Sequence, residues 1–457
     1  MNRVTKRTWL MSLFILILLG GTLFFLWEYC TKAEQWVSFP GSPHIYNNGN
    51  IGCGTITDRF GVTLLNIDTE RTYASDETTR KSTLHWLGDR KGYIDAGAVS
   101  SYAAQMTGFD LVNGIYAADG AGGEAKLTIS SKVQNTALEA MSGRKGTVAV
   151  YNYKTGEILC AVTTPTFDPD NVPDIEGDTS GAYEGIYLNR FVQSTYIPGS
   201  IFKAVTAAAA LDCVEGIETM KFRCEGIREY GTEKVSCETA HGTVTLKGAL
   251  ATSCNCAFSQ IADLVGRKNM EKYIAQFQVV EPLSFDGITT AQGNYDISAA
   301  APVSFAWSCI GQYTDQINPA RFMTFMGAVA GGGSAAEPYL VERVKCGTET
   351  TYQAKKNNTG RLMPEEVAKT LAGYLRNNVQ VVYGDWNFPG LQVCAKSGTS
   401  QLGGEQTSNA MFAGFVADEA YPLAFVVVVE NGGYGASTCV PVLSKVLASC
   451  KAVMDAE

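Results

Sequence analysis

Nineteen consecutive residues without a charge, Trp9 to Trp27 (WLMSLFILILLGGTLFFLW), constrain this chain more than any other feature. As a helix rising about 1.5 Å per residue, such a run nearly matches the hydrocarbon thickness of a bilayer. Arg3, Lys6 and Arg7 precede it, and Glu28, Lys32 and Glu34 follow. The positive excess before the span predicts a cytoplasmic N-terminus and a remainder of the chain outside. A cleaved signal peptide would carry a shorter apolar stretch and a small-x-small cleavage site, whereas Trp27-Glu28-Tyr29-Cys30 follows here. The reading is a retained anchor over residues 9–27, with a cytoplasmic tail over 1–8. The later run Phe425 to Val429 is too short to span and reads as a buried strand.

Beyond the anchor the chain has globular composition, 46% hydrophobic and 18% charged in 457 residues, so wholesale disorder is excluded. The net charge of −9 argues against nucleic acid as a partner. With only His44, His85 and His241, and no HExxH or zinc-finger spacing, no metal site is expected. Thirteen cysteines is a high and odd number. Cys224 and Cys237 flank a short polar stretch and could pair, if the compartment is oxidising; buried thiols are the alternative reading. A zinc site is disfavoured, because Cys254-x-Cys256 is the nearest approach to a CxxC.

Residues 28–125 are polar, rich in Gly, Asn, Asp and Ser, and weakly periodic, which predicts a small extended linker region containing one strand-to-turn segment at Thr55 to Gly61. From about residue 126 to 457 the texture is that of a larger domain. Ser131 to Met141 has helical spacing. Thr147 to Tyr151 and Ile158 to Val162 predict a hairpin around Tyr153-Lys154-Thr155-Gly156. Ile201 to Leu211 is nearly all apolar, interrupted by Lys203, the mark of a central buried helix. Strands are predicted at Leu391 to Lys396, Ala410 to Val416 and Leu423 to Glu430, and an amphipathic helix at Pro441 to Met454. Together these elements describe an α+β arrangement, one sheet with a helical insertion.

Three short patterns carry chemistry. In Ser200-Ile201-Phe202-Lys203 the serine and lysine share a helix face. A serine hydroxyl needs a nearby base, and a lysine among apolar residues loses its charge more readily. Pro198-Gly199 places Ser200 at a helix N-terminus, where free N–H groups can stabilise an oxyanion. Ser253-Cys254-Asn255 lies 53 residues on: its serine can relay a proton and its asparagine can hold a substrate amide. Lys396-Ser397-Gly398-Thr399, a further 143 residues on, sits at the end of a predicted strand, an edge able to pair with an extended peptide. Lys396 adds positive field, the Ser397 and Thr399 hydroxyls can bind a carboxylate, and Gly398 permits close backbone approach. Each pattern alone is weak. Ser142-Gly143-Arg144-Lys145 also matches S-x-x-K, and Lys154-Thr155-Gly156 is a literal K-T-G, but both lie in turns. Order and context select Ser200, Lys203, Ser253, Asn255 and Lys396 to Thr399 as one site.

S-x-x-K, S-D-N and K-T-G in this order are the signature of penicillin-binding proteins and class A β-lactamases. Leu188-Asn189-Arg190 with Tyr196 to Lys203, Gly146 to Val162, Thr164 to Pro169, His241-Gly242 and Gly311-Gln312 resemble class B penicillin-binding proteins over residues 126–450, most nearly the compact penicillin-binding protein A type. Two positions depart from the pattern: Cys254 stands where the family has Asp, and Tyr313 where it usually has Gly. The resemblance implies a penicillin-binding/serine β-lactamase-like fold, an antiparallel sheet flanked by helices plus an all-helical subdomain. It implies a serine D,D-transpeptidase that cross-links peptidoglycan stem peptides and is acylated by β-lactams. Ser200 would be the nucleophile, Lys203 its base, Ser253 and Lys396 the proton route to the leaving group, and Asn255, Ser397, Gly398 and Thr399 the substrate cradle. No cofactor is implied. The implied partners are stem peptides, the lipid-linked precursor and a glycan polymerase of the shape, elongation, division and sporulation family. A D,D-carboxypeptidase, a β-lactamase, and a non-catalytic scaffold or β-lactam sensor are the competing readings. The lactamase is disfavoured because Glu281 to Phe285 lacks the E-x-x-L-N ending, and the sensor because only about eight residues precede the span.

Overall fold

The computed structural model describes residues 2–37, 46, 47, 50–67, 70–107, 109, 110, 114, 115, 122–400 and 408–457. The N-terminal helix α1 (Asn2–Val37) carries the apolar run and extends beyond it on both sides. It is long and apolar enough to cross a membrane, and its most apolar stretch is wholly uncovered by the rest of the protein.

The heart of the fold is a five-stranded antiparallel sheet built from β1 (Gly146–Asn152), β2 (Ile158–Thr164), β3 (Val393–Ser400), β4 (Asn409–Val416) and β5 (Leu423–Val429), in the order β2-β1-β5-β4-β3. Every residue of β1, β2, β4 and β5 is buried, which explains why β5 reads LAFVVVV without alternation: both faces are covered. One face, with Val148, Val150, Phe412, Phe425 and Val427, packs on α2 (Ser131–Met141) and the C-terminal helix (Gly435–Met454). The other, with Ala149, Tyr151, Ala413, Phe415 and Val426, meets a helical region inserted between β2 and β3. At the centre of that region lies α3 (Lys203–Cys213), preceded by a 3-10 turn over Gly199–Phe202. Ala204 and Ala207 to Ala210 are fully buried, so neighbouring helices, among them α4 (Asn255–Val265), approach it closely.

Three sequence expectations need correction. The motif strand does not stop at Lys396: β3 pairs with β4 residue by residue from Val393↔Val416 to Ser400↔Asn409, so Lys396 to Thr399 lie inside a strand. The C-terminal helix starts six residues before Pro441, which sits in its interior. Residues 28–125, expected as an extended linker, contain strands at Gly54–Thr57, Thr63–Ile67 and Arg71–Tyr73 and a helix at Glu77–Leu87. These strands join Glu124–Leu127, Val341–Cys346 and Glu349–Gln353 in a second, six-stranded sheet. The pairing partners lie up to about 220 residues away in sequence, which is why local periodicity failed to reveal them.

One buried carboxylate ties this sheet to the rest. Asp58 is fully buried and accepts from the backbone N–H groups of Phe60 (2.8 Å), Val62 (2.9 Å) and Ser131 (3.0 Å) and from the Ser131 hydroxyl (2.7 Å). It closes the turn after Gly54–Thr57 and holds the first turn of α2 at once. Replacing Asp58 with Ala orphans these donors and is expected to lower the unfolding free energy by about 2–4 kcal/mol in urea denaturation, with no loss of Ser200 itself.

Candidate active site

The three patterns converge on one cleft of about 450 Å³, whose walls include Ser200, Ser253, Asn255, Ser397 and Thr399. Convergence depends on two glycines. Gly199 has φ +55°, and a Cβ there would stand 2.6 Å from the Thr399 carbonyl oxygen. A Cβ on Gly398 would stand 2.7 Å from the Pro198 carbonyl oxygen. The nucleophile turn and the motif strand therefore lie backbone against backbone, with no side chain between them. Gly199 N–H donates to the Gly311 carbonyl at 2.7 Å, and Gln312 Nε2 donates to the Thr399 carbonyl at 3.3 Å, tying in a third segment.

Lys203 is the hub. Its side chain is fully buried, and Nζ lies 3.1 Å from Ser200 Oγ, 3.0 Å from Ser253 Oγ, 2.6 Å from the Ser253 carbonyl oxygen and 2.6 Å from Asn255 Oδ1. Desolvation, and next the like charge of Lys396, hold its amine well below the ordinary lysine range. In its neutral form, which this environment favours, the amine has two hydrogens and one lone pair. The Ser253 carbonyl and Asn255 Oδ1 can only accept, so they take the two hydrogens. The lone pair is left for the hydroxyls, Ser200 among them. The Asn255 amide is oriented by its other end, because Nδ2 donates to the Ser236 carbonyl at 2.7 Å. Asn255, expected to hold substrate, is thus first a positioning group for Lys203.

Lys396 is also fully buried, and burial brings its amine down to about 7. Its hydrogen bonds among the described residues go to the Ser397 carbonyl (2.9 Å) and the Tyr383 hydroxyl (3.4 Å). Ser397 Oγ lies 3.0 Å from the same Tyr383 hydroxyl, and Ser397 N–H donates to it at 2.9 Å. Thr399 Oγ1 accepts from Gly435 N–H at 3.2 Å, leaving its own hydrogen free for the cleft. Tyr383 escaped the sequence reading. It lies beyond the helix Glu365–Asn378 in a run with no motif, and only folding brings it under β3.

Both departures from the family pattern become intelligible. Cys254 is the N-cap of α4: it is fully buried, and its sulfur accepts from Ala257 N–H at 3.3 Å, the capping duty an aspartate would perform. Tyr313 has φ +72°, so the backbone keeps the conformation suited to glycine while the side chain points to an exposed surface. The decoy motifs stay apart: Ser142 is the left-handed C-cap of α2, and Lys154 to Gly156 form the β1–β2 turn. Glu281, the residue weighed for a lactamase, is exposed and absent from the cleft wall.

Residues 146–448, well over half of the chain, match the family described as the penicillin binding protein transpeptidase domain. The chain belongs to this family. It is 27% identical over 377 residues to the peptidoglycan D,D-transpeptidase PbpA of Mycolicibacterium smegmatis, covering 75% of this chain and 76% of that one. A crystal structure of the D,D-transpeptidase domain of a peptidoglycan glycosyltransferase from Eggerthella lenta superposes with a TM-score of 0.76 at 25% identity, covering 88% of this chain and 98% of that one. Penicillin-binding protein A of M. tuberculosis, in its penicillin G acyl-enzyme complex, shares the fold with a TM-score of 0.73 at 22% identity, covering 88% of this chain and 99% of that one.

The buried Lys396 amine has a consequence for stability. It titrates near 7 in the folded protein and, as an exposed side chain, at 10.5 in the unfolded one. Between these values the unfolded chain binds the extra proton, so this group makes stability rise with pH from about 7 to about 10; below 7 its penalty is constant. Lys396→Met removes the penalty. The variant is expected to be more stable than the parent at pH 7, by up to about 4 kcal/mol, with the difference shrinking towards pH 10 in urea titrations.

Proposed function

We infer that this protein is a peptidoglycan D,D-transpeptidase that works through an acyl-enzyme on Ser200. The observation that carries the reading is the Lys203 amine, dry and held by two acceptor-only groups, with its lone pair left for the Ser200 hydroxyl. Lys203 takes the Ser200 proton as Oγ attacks the carbonyl between two terminal D-alanines of a donor stem. The backbone N–H groups of Ser200 and Thr399 receive the oxyanion. Ser253, 3.0 Å from Lys203, passes the proton to the departing D-alanine, and Lys396 favours that transfer by its field. The donor carboxylate rests against the hydroxyls of Ser397 and Thr399, while Gly398 keeps the strand close to the nucleophile turn. An amine of a neighbouring stem then attacks the acyl-enzyme, and the same groups run in reverse.

β-Lactams are read as ligands of the same serine, because their strained amide resembles the donor; acyl-enzyme complexes of M. tuberculosis penicillin-binding protein A support this. Helix α1 serves as a single-pass anchor with Arg3, Lys6 and Arg7 on the cytoplasmic side, which keeps the cleft near membrane-bound precursor. A membrane glycan polymerase is the partner this arrangement suits. A carboxypeptidase would use the same residues, with water replacing the acceptor amine.

Mass spectrometry of the full chain in detergent, after exposure to penicillin, tests the reading. One adduct is expected, on the peptide carrying Ser200, and none in Ser200→Ala. Lys203→Met is expected to slow acylation by about 10³-fold while thermal unfolding shows a folded protein at least as stable as the parent. An adduct on another side chain, or none in folded parent protein, overturns it. Incubation with a donor peptide and a D-amino acid acceptor separates exchange from hydrolysis.

A further inference from the structure

Beside the cleft, four side chains from four separate points of the sequence meet. Cys224 ends the strand Phe222–Cys224, Cys237 follows the strand Glu233–Ser236, His241 precedes the strand Gly242–Val244, and Cys254 caps α4. Their four potential ligand atoms all lie within 4.8 Å of one another. Cys224 Sγ is 3.7 Å from Cys237 Sγ and 3.4 Å from His241 Nδ1, and Cys237 Sγ is 3.8 Å from Cys254 Sγ. A tetrahedron with Zn–S bonds of about 2.3 Å and a Zn–N bond of about 2.0 Å has S···S edges of about 3.8 Å and S···N edges of about 3.5 Å. Three edges of the cluster already have these dimensions, and the other three lie within 4.8 Å.

The second shell points the same way. Each sulfur accepts a backbone N–H: Cys224 from His241 (3.5 Å), Cys237 from Cys256 (3.3 Å) and Cys254 from Ala257 (3.3 Å). Such N–H···S bonds favour thiolate ligands and fix their direction. A disulfide would use two of the three sulfurs and leave a cysteine and a histidine with no shared purpose. Three soft thiolates and one imidazole in a tetrahedral frame suit Zn²⁺ above other divalent ions.

We propose that Cys224, Cys237, His241 and Cys254 form a structural zinc site that clamps the hairpin region Phe222–Val244 onto the N-terminus of α4. Binding releases the protons of the three thiols to solvent and leaves a closed Cys₃His site without an open coordination position. Its consequence for chemistry rests on the function proposed above. Cys254 separates Ser253 from Asn255, and Asn255 donates to the Ser236 carbonyl, one residue before Cys237. The metal therefore holds the two residues that orient the Lys203 amine. Cys237 and His241 also line the cleft, so the clamp forms part of its wall.

Elemental analysis of the full chain, purified in detergent without added metal, is expected to find one zinc per chain. Cys224→Ser and His241→Ala are expected to lose most of it, while Cys346→Ser, in the six-stranded sheet, keeps it. Should the ligand variants fail to fold, the parent protein still decides the matter. Replacement by Co²⁺ should produce thiolate-to-cobalt charge-transfer and tetrahedral ligand-field absorption. Stripping with a strong chelator should reduce penicillin acylation at least tenfold, and Zn²⁺ alone should restore it. Zinc retained in both ligand variants, a Cys224–Cys237 disulfide in metal-free parent protein, or cobalt spectra without sulfur ligation overturns the site. Metal binding with unchanged acylation on stripping would overturn the coupling to Lys203. Zinc binding by a parent protein that penicillin never labels would leave the site standing and remove the function.

Discussion

A buried amine with nowhere to put a charge organises this protein. Lys203 lies in a helix whose other buried positions are alanines, Val205 and Thr206, and among the described residues it has no carboxylate partner. Its polarity must be satisfied by oxygen atoms alone, and these come from two segments, the turn at Ser200 and the start of α4. The requirement fixes how α3 and α4 meet. It also lowers the proton affinity of the amine, the property on which the proposed role of Lys203 depends. Charged-group burial is costly unless the charge is relinquished, and here relinquishing it is useful.

The rest of the fold brings backbone to that amine. The five-stranded sheet is covered on both faces, which makes it rigid enough to carry β3 as one wall of the cleft. Gly199 and Gly398 face each other across the join, so the wall and the nucleophile turn touch through main chain. Remote ties reinforce this. Arg190, just after the segment Leu188-Asn189, pairs with Glu430 at 2.8 Å, and Tyr196 donates to the same carboxylate at 2.9 Å. These contacts lock the approach to Ser200 against the end of β5.

Legibility followed the range of the interactions. The helix Ser131–Met141 and the β1–β2 hairpin were readable because their hydrogen bonds close locally and their side-chain pattern repeats within a few residues. The sheet over residues 54–127 was not, because Gly54–Thr57 pairs with Glu124–Leu127, and that strand in turn with Val341–Cys346. Short strands with distant partners leave little periodic trace. In the site, Ser200, Lys203, Ser253 and Lys396 were found through motif order. Tyr383, which bridges Lys396 and Ser397, carried no motif. The double duty of Asn255 also stayed hidden, since it depends on a hairpin carbonyl.

Composition and pattern alone determined the long apolar N-terminal helix, an α+β core with an insertion, and the candidate nucleophile with its neighbouring amine, since each depends on residues close in sequence. Tertiary structure decided how far the proton affinities of Lys203 and Lys396 fall, because desolvation is a property of what surrounds a group. It also decided the meeting of Cys224, Cys237, His241 and Cys254, which no regular spacing announces. Their ligand atoms become neighbours only when a hairpin folds against the cap of a helix, and distance in space, unlike order in the chain, is set by the packing of the whole.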